Sequence, residues 1–220
     1  MNYFGHATVA CWRTTLPTFV LGAMLPDFER MSGTRLPAVG DDEVQRGVRW
    51  HHLTDAVFHD CATFGALCQA ARTTLREAGL ARGPCMAIAH IGIELLLDGL
   101  LLGDAIVEQA YLRALHAASA LEDGLPWRSS EDAERFAAVR LRLLEQGPPI
   151  VYRDPYAVAE RLHRILAMRP RLAFDRTHLP TMAKWADATR SELHDRLPTL
   201  LEELRAGLEQ RCEPLASEAT

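Results

Sequence analysis

Nine histidines occur in 220 residues, and five of them, His6, His51, His52, His59 and His90, fall in the first 90 residues, among acids and within apolar sequence. His51, Asp55 and His59 follow one another at i, i+4 and i+8. At about 100° per residue each such step drifts by only about 40°, so the three groups form one stripe along roughly two turns of helix. His90, Glu94 and Asp98 repeat the spacing. Each stripe draws on the His, Asp and Glu set that binds iron, manganese and zinc. Pairing two such stripes across a helical bundle is how carboxylate-bridged di-metal sites are built. The chemistry on offer is therefore that of a divalent metal (Mn, Fe or Zn), one ion or two.

The neighbours sharpen this expectation. Glu94 and Asp98 lie in AIAHIGIELLLDGLLLG, where nearly every other residue is aliphatic and a helix would be buried on most sides. A buried carboxylate without a partner costs on the order of 3 kcal/mol or more, so two of them with a histidine on one face call for a cation. His52 lies about 100° off the stripe and is placed to touch a ligand or a substrate rather than the metal. Asp60 is off the stripe by one residue. His116, His163, His178 and His194 read as surface or hydrogen-bonded residues. A purely structural Asp–His network across two helices accounts for the same spacing and is the competing reading. The five cysteines, Cys11, Cys61, Cys68, Cys85 and Cys212, form no C-x-x-C pair and are scattered, as reduced thiols filling the core of a cytoplasmic protein are.

The elements that must position these groups are helical. With 48% hydrophobic and 24% charged residues, and 24 basic against 29 acidic side chains for a net charge of -5, the chain can bury a core. The apolar content excludes disorder, and the sign of the charge excludes a basic nucleic-acid platform. The start, MNYFGHATVACWRTT, has no basic region before its apolar residues, which argues against a cleaved signal peptide. The best apolar run, IGIELLLDGLLLG, is broken by Glu94 and Asp98, so no membrane span is expected. Arginine outnumbers lysine 23 to one, which reads as composition bias.

Periodicity predicts an apolar helix from about Thr15 to Glu29, interrupted at Pro26-Asp27, and a loop from Gly33 to Gly40. A long helix then starts at Asp41-Asp42 and runs through the histidines towards Gly79. Further helices are expected from Gly83-Pro84 to Gly103, from Asp104 to Leu121, from Ser129-Ser130 to Gly147, from Asp154-Pro155 to Met168, and from Leu179 to Gln210 with a kink at Pro198. The sum is a single all-α domain over 1–210, with a metal-binding half 1–104, a helical C-terminal half 105–210, and a frayed tail 211–220.

These residues, with the opening and the Pro-Asp-Phe corner, make the chain resemble the acyl carrier protein phosphodiesterases, a family placed beside the HD-type metal phosphohydrolases. The resemblance rests on MNYFGH with His6, on GAMLPDF with Asp27, on GVRWHHLTD from Gly47 to Asp55, and on IELLLD from Ile93 to Asp98. It covers about the first 105 residues. The chain departs from the family pattern at His52, which replaces an arginine, at His59, which replaces an acid, at Cys61 and Gly99, which replace histidines, and at His90, an extra histidine.

The resemblance implies an HD-like helical bundle with a buried metal site between helices, and hydrolysis of the phosphodiester joining 4'-phosphopantetheine to a carrier-protein serine, or of a related phosphoester. His6, Asp27, His51, Asp55 and Asp98 are the expected metal ligands, with His59, His90 and Glu94 completing a second metal site or bridging the two. An acid beside the ligands, Asp27 or Asp55, would act as general base and His52 as general acid. Arg46 and Arg49 are candidates for phosphate contact against an ordinary surface role. An acidic carrier protein would need a basic patch, for which Arg140-Arg142 or Arg161-Arg164-Arg169-Arg171 are available. A di-iron oxidase or oxygenase using the same ligands, and a non-enzymatic helical binding module, are the rival readings.

Overall fold

A computed structural model describes residues 1–37, 40–124 and 127–217. Regular structure among these residues is all helical, as periodicity predicts: α1 (Tyr3–Cys11), α2 (Pro17–Ser32), α3 (Asp42–Asp60), α4 (Ala62–Glu77), α5 (Arg82–Leu100), α6 (Ala105–Gly124), α7 (Ser130–Gln146), α8 (Pro155–Ala167) and α9 (Leu179–Ser217), with two short 3-10 turns. The chain divides into two compact units, one of Met1–Thr54 with Leu101–Ile150, the other of Asp55–Leu100 with Val151–Thr220. The expected division at 104/105 does not coincide with them, because each unit takes one stretch from either half.

In the first unit Phe4, Leu21, Met24, Phe28, Tyr111 and Phe136 form the centre of the core, contributed by α1, α2, α6 and α7. α1 escapes sequence reading because every residue from Tyr3 to Ala10 is buried, which leaves no polar face and no periodic signal. The interruption expected at Pro26-Asp27 does not occur: α2 runs through Pro26 to Ser32 and ends at Gly33, whose φ of 68° is the left-handed cap that glycine adopts without strain. Pro26 has no N–H for the carbonyl one turn before it, so the helix there depends on packing and on partners from outside the ladder. As expected, the Asp41 carboxylate starts α3, accepting from the N–H groups of Glu43 (2.8 Å) and Val44 (3.1 Å).

The contact that matters most for the site is between α2 and α3. A Cβ on Gly22 would lie 2.1 Å from the Val44 carbonyl oxygen, and one on Gly47 would lie 2.2 Å from the Phe19 carbonyl oxygen. The two helices therefore touch backbone to backbone, at a separation that any side chain would forbid. One turn after Gly47 comes His51, and one turn after Gly22 comes Pro26 with Asp27 beside it.

In the second unit α5 packs against α4, α8 and α9. The single helix expected from Asp41-Asp42 to Gly79 is instead two, because Cys61 adopts an extended backbone (φ -62°, ψ 126°) between α3 and α4. The sequence has no glycine or proline there. The break is held from a distance: Glu203 of α9 accepts from the Thr63 N–H (3.0 Å) and hydroxyl (2.8 Å), capping α4. Despite its acids, α5 holds an 18-residue stretch with a mean hydropathy of 1.3, long and apolar enough by length and composition to cross a membrane; 61% of that stretch is buried inside the protein. Asp154 caps α8 with Pro155 in its first turn, and Ser129 caps α7, both as predicted. α9 passes through Pro198 and continues to Ser217, beyond the expected end at Gln210; of the tail, residues 218–220 lie outside the described residues.

Replacing Gly47 by alanine forces α2 and α3 apart. We expect a loss of about 2–3 kcal/mol or more in urea unfolding, against a gain of about 0.5–1 kcal/mol for alanine at the helix glycine Gly65, where nothing lies within 4 Å of the new Cβ.

Candidate functional site

Of the eight expected metal ligands, the first unit brings together His6 of α1, Asp27 of α2 and His51 of α3, all buried, with one ligand-capable atom of each within 4.8 Å of the others. The two imidazole rings stack at 3.8 Å between centroids. Hydrogen bonds fix which nitrogen of each ring faces the cluster. His51 Nδ1 meets the Ala23 carbonyl oxygen at 2.8 Å, and a carbonyl can only accept, so Nδ1 carries the proton. His6 Nδ1 lies 3.1 Å from Thr54 Oγ1. The Thr54 hydroxyl spends its one proton on the His51 carbonyl (2.9 Å), so it accepts from His6 Nδ1–H. With Nδ1 engaged in this way, Nε2 is the nitrogen through which each ring would bind a metal.

Asp27 supplies the negative charge of the group, and Arg30, one turn along α2, donates to its Oδ1 at 2.7 Å. The Arg30 side chain is 66% exposed, so this pair orients the carboxylate more than it neutralises it. Two imidazole lone pairs and a carboxylate converging in a dry interior fit a borderline divalent cation, and the backbone and hydroxyl contacts behind them are those that hold metal-binding histidines in one tautomer.

Beside this group a groove of about 480 Å³ opens between α2 and α3, lined among others by Pro26, Glu29, Arg35, Arg49 and His52. It thus begins at the residue before Asp27 and takes in the residue after His51. Among the described residues neither Arg35 nor Arg49 forms a salt bridge, and Glu29 spends Oε1 on the Leu36 N–H (2.7 Å). Arg46, the other phosphate candidate, pairs with Glu43 in its own helix.

The second unit brings together His59 at the end of α3 and His90 and Glu94 of α5. His59 Nε2 and His90 Nε2 lie 3.3 and 3.2 Å from the same oxygen, Glu94 Oε1. Burial pushes the Glu94 carboxyl up, but surrounding positive charge and the hydrogen bonds from the two histidines outweigh it and hold the group well below the usual carboxylate range. Asp55 stands behind His59, with Oδ2 3.5 Å from Nδ1, and belongs to neither group of three. Asp98 is fully buried in α5 and likewise joins neither group among the described residues. The stripe expected on α3 is therefore shared out: His51 meets α1 and α2, and His59 meets α5.

Thr54, Arg30, Arg35 and the Ala23 carbonyl were not singled out by sequence reading. Arg30 carries a local signal, the i,i+3 spacing from Asp27. Thr54 carries none, since its partner His6 is 48 positions away. A second cavity of about 480 Å³, in the second unit, is lined by Gly99, Arg153, Arg190 and His194 and holds none of the expected ligands. Its arginines are committed to main-chain oxygens: Arg153 Nε donates to Gly99 and Arg190 Nη1 to Arg153. Of the expected basic patches, Arg164, Arg169 and Arg171 are exposed and Arg161 is partly buried.

The thiols take no part in either group. Burial pushes Cys11, Cys61 and Cys68 up to about 11, and raises Cys85 as well. At pH 7.5 these four are expected to resist a disulfide reagent in the native protein and to react within seconds once it is unfolded in guanidinium. Rapid native labelling of any of the four, mapped by peptide mass, would contradict this. Compared with known proteins, the chain finds no counterpart: no family model, no curated protein and no solved structure matches it.

Proposed function

We propose that the chain is a metal-dependent hydrolase of phosphoric esters, with its reactive centre at His6, Asp27 and His51. The observation that carries this reading is the convergence of two buried histidines and a buried carboxylate, one ligand-capable atom of each within 4.8 Å of the others, with both rings oriented through their Nδ1 atoms. A bound divalent ion would lower the pKa of its water from the bulk value towards about 7 and offset phosphate charge.

The chain's own residues supply the rest. Thr54 and the Ala23 carbonyl hold the two rings, and Arg30 orients Asp27. The Arg35 and Arg49 guanidinium groups in the adjoining groove offer paired donors to phosphate oxygens. His52, in the same groove, is positioned to hand a proton to the leaving oxygen. The substrate class comes from this basic groove and from the sequence resemblance to acyl carrier protein phosphodiesterases. Within that class the phosphodiester of 4'-phosphopantetheine on a carrier protein is the first substrate to try, and a small phosphoester the next. Asp55, behind His59, is better placed to orient that ring than to act as a base here.

A second reading has its own observation. Two histidines and one carboxylate, the composition of both groups, also suit iron(II) and dioxygen chemistry. Metal analysis after purification without added metal separates the two: redox-silent manganese or zinc favours hydrolysis, and iron with an absorbance change on reduction favours oxidation.

For the hydrolase reading we expect release of phosphate or phosphopantetheine that stops with a chelator and returns with Mn or Zn. His51→Ala and Asp27→Asn should each lower kcat at least 100-fold. Arg49→Ala should raise KM about 10-fold with kcat little changed, since it removes one charge-assisted contact to the substrate. Full metal occupancy without turnover of diesters, monoesters or holo-acyl carrier protein would refute the proposal.

A further inference from the structure

The geometry points to an independent metal site in the second unit, a solvent-exchangeable cation held by His59, His90 and Glu94. It does not rest on the function proposed for the first unit. With metal–ligand bonds of about 2.0–2.2 Å, neighbouring ligand atoms lie roughly 2.8–3.6 Å apart in octahedral or tetrahedral sites. The two edges from Glu94 Oε1, to His59 Nε2 at 3.3 Å and to His90 Nε2 at 3.2 Å, already have that length. The remaining edge, between the two histidines, is at most 4.8 Å. A modest rotation of one ring would close it.

Several features hold the ligands near this arrangement. His90 and Glu94 are one turn apart on α5, so their relation is set by the helix. The ring of Phe64 packs edge-on against His90 (5.4 Å) and tilted against His59 (5.5 Å), forming an apolar wall behind both imidazoles. Asp55 lies at Nδ1 of His59, so that a cation taking the place of the Nε2 proton now shared with Glu94 would leave Nδ1–H facing a carboxylate. This is the arrangement of carboxylate, histidine and metal that raises ligand basicity and fixes the tautomer.

The donor set decides the class of cation. Two imidazoles and one carboxylate select zinc, cobalt, nickel or iron(II), and reject magnesium and calcium, which prefer oxygen. The His59 and His90 side chains are 33% and 45% exposed, so water can complete the coordination and the ion can leave. That sets the site apart from the buried group at His6, Asp27 and His51.

The test uses the whole chain, stripped of metal and titrated with cobalt(II), read by its visible absorption and by metal analysis after gel filtration. We expect His59→Gln and His90→Gln each to remove one equivalent of cobalt, or weaken it at least 100-fold, while Asp27→Asn leaves that equivalent in place. Asp55→Asn should keep the stoichiometry and weaken binding 10- to 100-fold, and a large excess of magnesium should not compete. Both histidines are partly exposed, so the glutamine variants should melt close to wild type; Glu94→Gln serves as a further variant if either does not. Unchanged cobalt binding in His59→Gln and His90→Gln overturns the inference, as does a wild-type chain that binds no cobalt. Loss of a single equivalent in Asp27→Asn alone would sink this site and leave the proposed function standing, and loss in His59→Gln alone would do the reverse.

Discussion

At Gly22 and Gly47 the backbones of α2 and α3 lie so close that a single added methyl on either would overlap a carbonyl oxygen of the other helix. The position of His51 follows from that approach. With the helices in contact, the imidazole one turn past Gly47 reaches the Ala23 carbonyl, and Asp27 on the same helix as Ala23 falls beside it. A wider crossing would put a side chain between them, and neither the tautomer of His51 nor its nearness to Asp27 would survive. Glycine in mid-helix costs roughly 0.5–1 kcal/mol against alanine; the two glycines here offset that cost by admitting a packing distance that no other residue permits.

The two groups of ligands have the same composition and opposite settings. His6, Asp27 and His51 are dry, and their proton positions are dictated by a backbone carbonyl and a hydroxyl. His59, His90 and Glu94 are partly wet, and their ordering comes from helix spacing, an aromatic wall and a second carboxylate. In a low-dielectric interior charge is felt more strongly than at the surface, so a cation bound at the first group would interact more strongly with its carboxylate than one bound at the second. The second group, partly exposed, has water at hand to solvate its charges.

Much of the fold was legible from the chain. Caps at Asp41, Ser129 and Asp154 were readable because capping is local: an oxygen two or three residues ahead of a free N–H is visible in the sequence itself. What could not be read depended on residues far away. The break at Cys61 is held by Glu203 through Thr63, 140 positions from it, and the continuity of α2 through Pro26 by packing around it. α1 hid because it is buried on every side. At the site, i,i+4 spacing put His90 with Glu94, which lie together with His59, yet it treated His51, Asp55 and His59 as one set. The stripe is real on the helix, but what each residue meets depends on which other helices lie over that turn, and spacing within one helix carries no such information. Asp98 shows the same limit: its burial was foreseen from aliphatic neighbours, its absence from both groups was not.

The two contacts that fix the histidine tautomers differ in how they are encoded. The one at residue 23 is made by a main-chain oxygen, so any small residue that respects the helix crossing would provide it, and the identity of Ala23 records packing rather than chemistry. The one at residue 54 is made by a hydroxyl that must accept and donate at once, which serine or threonine can do and valine, its nearest match in shape, cannot. Among divergent chains that kept this centre, position 23 would drift within a size limit while position 54 stayed a hydroxyl. A search guided by ligand residues alone would pass over the position that best separates a working centre from a vestigial one.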